Sequence, residues 1–134
     1  MRKNGFTLIE MLAVLVILGI LSVVAIAGTM KYLEQAKKQT MNDYEVSMYN
    51  AARNYLIKNT GKIPNSGSTN YINLATLIDS GYIKALKDPY NKSENCNESL
   101  SKVTITNNGD VGVNADLVYT VFLKCSKEET KIYP

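Results

Sequence analysis

Eighteen consecutive residues, Met11–Gly28, carry no charge and only one polar side chain, Ser22. Before them stands Gly5-Phe6-Thr7-Leu8-Ile9-Glu10, preceded by Met1-Arg2-Lys3-Asn4, two of whose residues are basic. As a helix rising ~1.5 Å per residue, the run is long enough to cross a hydrocarbon core of ~30 Å. Glu10 sits at its near edge. An ionised group costs about 2.5–3.5 kcal/mol at mid-membrane and less toward the interface, so a carboxylate here marks function and calls for a partner.

Beyond the run, no glycine or proline occurs between Thr29 and Thr60. Leu33, Ala36, Met41, Tyr44, Met48, Ala51, Ala52, Tyr55 and Leu56 recur near helical spacing, most regularly from Met41 onward. Lys37, Lys38, Asp43, Glu45, Arg53 and Lys58 fall mostly off that stripe. The pattern predicts one helix over Phe6–Asn59, with Gly61 as its C-terminal stop and Pro64 barring continuation. At ~1.5 Å per residue such a helix would reach about 80 Å. Its apolar stripe reads as core packing, not as a cofactor surface.

Asn65–Asn70 is a polar loop rich in turn formers. Leu74, Leu77 and Ile78 predict a short helix closed by Gly81, with Asn70 or Asn73 as N-cap. Tyr82 and Ile83 pack back on the core, Asp88-Pro89 marks a turn, and Asn91–Ser99 forms a polar loop around Cys96. Val103 and Ile105 alternate with Thr104 and Thr106, and Asn107-Asn108-Gly109-Asp110 predicts a hairpin turn. Val111 and Val113 resume the alternation, and Leu117–Cys125 is the longest β-like run. The expected fold class is α+β: a small antiparallel meander of three or four strands laid over the distal half of the long helix.

Composition narrows the function. The chain has 134 residues and a net charge of +3, room for one domain beside the apolar segment. Removing residues 1–5 takes away Arg2 and Lys3 and leaves thirteen bases against twelve acids. That balance gives no case for general nucleic-acid binding, and no specific nucleic acid is assignable as a partner. Basic residues flank the apolar run on both sides, so charge alone does not orient it. Cys96 and Cys125, a lone pair in a small domain beyond a span, read as a disulfide in an oxidising exterior; two buried free thiols are the alternative. With no histidine anywhere, the usual general base, zinc ligand and Ser-His-Asp triad are all missing. No glycine-rich phosphate loop appears. Asn108, Asp110 and Asp116 could face one another at the hairpin, but calcium takes six to eight oxygens, and solvated turn residues are the simpler reading. Asn91-Lys92-Ser93 and Asn97-Glu98-Ser99 match the short N-glycan pattern and are assigned no role. The expectation is a non-enzyme with no catalytic residue, no metal and no cofactor.

The stretch Gly5-Phe6-Thr7-Leu8-Ile9-Glu10 resembles the processing and methylation signal of type IV pilins and of the pseudopilins of type II secretion and DNA-uptake systems. The resemblance is specific over residues 1–30. It implies a pilin fold, cleavage after Gly5 by a prepilin peptidase, N-methylation of Phe6, and an assembly role for Glu10. Gly19 falls where the family helix has a glycine, whereas Ala27 stands where many members have a kinking proline. A disulfide between Cys96 and Cys125 would match the C-terminal staple common in pilins. The implied domains are a leader (1–5), a membrane and assembly helix (6–30) and a head (31–134). A rival cut at Ala25-Ile26-Ala27, as in an ordinary secretory signal, would release a soluble domain.

Three functions compete. The leading one is a type IV pilin subunit, inserted as a single-pass prepilin with its head outside and then polymerised, alone or with minor pilins, into a filament for adhesion, motility or DNA uptake. The second is a pseudopilin of a secretion or competence system. The third, of another class, is an anchored binding module that never polymerises. The resemblance further implies an inner-membrane assembly platform and a cytoplasmic ATPase motor as partners.

Overall fold

The computed structural model describes residues 5–109 and 116–134. The chain divides into two compact units, Met1–Ala36 and Lys37–Pro134. Helix α1, Leu8–Lys58, contributes to both. Its first part is exposed throughout, with a mean hydropathy of 2.8 over its most apolar stretch, and it is long and apolar enough to cross a membrane. The helix is uninterrupted at Ala27, where the residue in place permits the regular bonding that a proline would break.

The second unit has its own core. Met41, Met48, Ala51, Ala52 and Leu56 of α1 are buried together with Ile72, Leu74, Leu77, Val103, Ile105, Val121 and Leu123. The stripe is thus core from Met41 onward, while Leu33 and Ala36 remain exposed. Glu45 departs from its expected place off the stripe: it is buried on this same face. Positions 41, 45, 48 and 52 share one side of a helix whatever their chemistry.

α1 ends without a glycine. The Asn59 side chain donates to the Tyr55 carbonyl at 2.9 Å and the Asn59 N–H donates to the same oxygen, closing the last turn. A single 3₁₀ turn over Thr60–Lys62 follows, with Gly61 inside it rather than acting as the stop. Among the described residues, Gly67 and Gly81 adopt positive φ, at +70° and +76°. Gly81 terminates α2, Leu74–Asp79, where the Tyr82 N–H donates to the Leu77 carbonyl at 2.9 Å. Asn73 precedes α2 but makes no side-chain cap.

Among the described residues the sheet has four antiparallel strands in the order β1-β2-β3-β4: Thr69–Asn73, Lys102–Asn107, Leu117–Lys124 and Glu128–Tyr133. Val103 faces Val121 and Ile105 faces Tyr119, so β2 pairs with the run that begins at Leu117. The expected strand around Val111 and Val113 lies outside the described residues. β1 occupies what reads as the end of a polar loop, and β4 lies in a charged tail. Both are edge strands whose outward residues need no apolar alternation, which hides them from a pattern search. The result is a pilin-type α+β fold, with a long N-terminal helix whose distal half packs on a small antiparallel sheet.

Candidate assembly site

Gly5, Phe6 and Glu10 stand within six residues at the start of α1, all exposed. Thr7 is the N-cap: its carbonyl accepts the Met11 N–H at 3.2 Å. Its hydroxyl accepts the Glu10 N–H at 3.3 Å, while Glu10 Oε2 accepts the Thr7 N–H at 2.8 Å and the Thr7 hydroxyl at 3.0 Å. This is a reciprocal capping box, Thr7-x-x-Glu10. Glu10 therefore has a partner within its own chain, which sequence reasoning missed although the Thr-x-x-Glu spacing signals it.

Along the following helix, Phe6, Leu8, Ile9, Leu15, Ile20, Val23 and Val24 expose large apolar surfaces. Exposure on that scale marks a face built to meet lipid or other apolar helices. The polar side chains within it are internally satisfied. Ser22 donates to the Leu18 carbonyl at 2.7 Å and Thr29 to the Ile26 carbonyl at 2.9 Å, so neither brings an unpaired donor into an apolar medium. A Cβ at Gly19 would meet nothing within 4 Å, so no packing within this chain accounts for the glycine. A helical glycine costs about 1 kcal/mol relative to alanine.

In the head, Cys96 and Cys125 are joined by a disulfide with Cα atoms 4.1 Å apart. Beside it, Asp88 is buried and gathers the surrounding loop. Its Oδ1 accepts the Tyr90 and Asn91 N–H groups at 2.7 and 3.2 Å, and its Oδ2 accepts the Ser126 N–H at 2.6 Å. Burial by itself pushes the Asp88 carboxyl up, but the Ser126, Tyr90 and Asn91 bonds together outweigh it and hold the group below its ordinary value. The sequence announces the turn at Asp88-Pro89 but not this anchoring role. Asn108 donates its N–H to the Asp116 carbonyl at 2.9 Å; Asp110 lies outside the described residues. Among the described residues no cluster of His, Cys, Asp or Glu is suited to a metal ion.

Residues 1–26 match the prokaryotic N-terminal methylation motif. The chain is also 34 % identical over 99 residues to the type II secretion system core protein G of Aeromonas hydrophila, covering 66 % of this chain and 68 % of that protein. No solved structure matches.

Proposed function

The chain belongs to the family of type IV pilins and pseudopilins, structural rather than catalytic proteins, and from that premise we propose that it is a pseudopilin, a subunit that polymerises in a secretion machine. The observation that carries this choice is the similarity to a type II secretion core protein, which extends over 99 residues, well beyond the shared N-terminal signal. A surface pilin would need the same capped, apolar N-terminal helix, so residues 1–30 alone favour neither.

In this reading a prepilin peptidase cuts after Gly5 and methylates Phe6. The cut creates an amine four residues before Glu10. Glu10 of one subunit then attracts the Phe6 amine of the next. At ~4 Å and an effective dielectric of ~20 that attraction is about 4 kcal/mol, before desolvation is subtracted. The exposed apolar helices exchange lipid for one another, and a head-to-tail contact that does not close on itself grows as a helical filament. The membrane assembly platform and an ATPase motor supply insertion and work. The head stands on the outer side of the membrane, where a disulfide persists.

Intact mass of the membrane-bound protein tests the first step. The expected mature chain starts at Phe6 and carries one added methyl, and Gly5→Leu leaves the full precursor because a bulky side chain blocks the peptidase. A mature terminus near Gly28, or one still at Met1, contradicts the proposal. Loss of secretion, with surface filaments unchanged, is the expected phenotype of deletion and separates the pseudopilin from a surface pilin.

A further inference from the structure

The last strand is fastened to α1 through one polar seam. On α1, Asn42, Glu45 and Tyr49 follow one another at helical spacing; on β4, Glu129, Lys131 and Tyr133 alternate on one face. Lys131 Nζ donates to Asn42 Oδ1. Tyr49 stacks on Tyr133 with ring centroids 4.7 Å apart, and its hydroxyl donates to the Pro134 carbonyl at 3.4 Å. Between these contacts lies Glu45, a carboxyl only 2 % exposed. A carboxyl taken out of water on this face favours its protonated, neutral form over the carboxylate.

We propose that β4 is a proton-held latch, closed on α1 while the buried Glu45 holds its proton and loosened when that proton is lost. The surrounding charges support this. Glu129 opposes Glu45, and Lys131 is the cation that favours its ionised form. Tyr133 faces Glu45 as well, with a buried hydroxyl that has no hydrogen-bond partner among the described residues. Further along α1, Arg53 lies over the Tyr49 ring and Tyr119 of β3 meets that ring edge-on, both directed at Tyr49. Asp43, next to Glu45 in sequence, is on the exposed side, bonded to Gln39. Burial, reinforced by Glu129, outweighs Lys131 and pushes the Glu45 carboxyl up to about 7.

The sign follows. A carboxyl raised in the closed state binds its proton more tightly closed than open. Its contribution to closure is complete below its ordinary value of 4.5 and is lost as pH rises through about 7. The chain has no histidine, the side chain that usually titrates in this window. The geometry also permits β4 to move alone. The turn before it is pinned, with Cys125 in the disulfide and Ser126 on Asp88, and no described element follows β4. Opening would leave the β3 edge, Leu117–Lys124, with unpaired backbone groups able to accept another strand.

Hydrogen exchange of the full chain in detergent micelles tests the latch. Protection of β4 is compared with that of β2 in the same sample, after correction for the intrinsic pH dependence of exchange. Between pH 5 and pH 8 the relative protection of β4 is expected to fall by on the order of tenfold to a hundredfold. In Glu45→Gln it should stay high and flat, because the amide is neutral at every pH and has no proton to lose. Unchanged β2 protection shows that the variant is folded; if it is not, Glu129→Gln, expected to move the same profile to lower pH, takes its place. A β4/β2 ratio that is constant with pH in the unaltered chain, or that falls as steeply in Glu45→Gln or over the same pH range in Glu129→Gln, overturns the proposal.

Discussion

Glu10→Val, expressed as the sole copy, is expected to give a stable, membrane-inserted and correctly cleaved protein that forms few or no filaments. The core that stabilises the head lies from Met41 onward and includes no residue of the N-terminal segment, so folding of the head is spared. Removing a charge from the edge of an apolar segment makes insertion no harder. In the proposed pairing, what disappears is the partner for a neighbour's Phe6 amine, and breaking one side of a buried pair costs about 3–5 kcal/mol, incurred at every added subunit. The capping box introduces a competing explanation, because valine also removes the acceptor of the Thr7 N–H. Glu10→Gln separates the two. Glutamine serves the third position of a capping box as glutamate does, but carries no charge. Pairing predicts that Glu10→Gln assembles as poorly as Glu10→Val; helix capping predicts near-normal filaments. Counting filaments against membrane-bound protein on blots reads both variants. Loss of the protein itself would place the defect in folding.

Cys125→Ser is expected to produce the largest loss of head stability. The Cys96–Cys125 bond joins positions 29 apart, and the loop-closure entropy it removes from the unfolded chain corresponds to about 3–4 kcal/mol. A small domain holds only about 5–15 kcal/mol in total. The melting temperature should therefore fall by on the order of 15 °C. Near-ultraviolet signals of the head tyrosines are the proper readout, because the apolar helix stays helical in micelles. A non-reduced peptide map should join the Cys96 and Cys125 peptides. Equal melting temperatures with and without reductant would show that the Asp88 bonds hold this corner unaided.

Periodicity made the long helix legible because two separate forces enforce it. An apolar medium demands internal bonding from Leu8 onward, and a packed stripe demands it from Met41. β2 and β3 were equally visible, because their inward residues alternate with threonines and other half-exposed positions. The edge strands were not. β1 buries only Ile72, and β4 buries no residue fully. Their stability comes from pairing on one side, which leaves little trace in composition. Glu45 was misplaced for a related reason: sequence patterning sorts carboxylates to the surface, whereas here burial, reinforced by Glu129 far along the chain, favours the neutral form of the group. At the N-terminus, the methylation motif was legible as a block. The Thr7 bonds that hold Glu10 were overlooked because the carboxylate had been read solely as a group seeking a partner in another subunit.

Zero-length carbodiimide cross-linking in native membranes tests the central claim most directly. The reagent activates a carboxylate and joins it to an amine in contact, so a filament built on the proposed pair should link Glu10 of one subunit to Phe6 of the next. The N-terminal tryptic peptide of the mature chain contains no other acid. The account predicts a dimer band, absent in Glu10→Gln, whose linked fragment has the mass of two N-terminal peptides less one water. A fragment of one peptide less one water, or dimers that persist in Glu10→Gln, would contradict pairing between subunits.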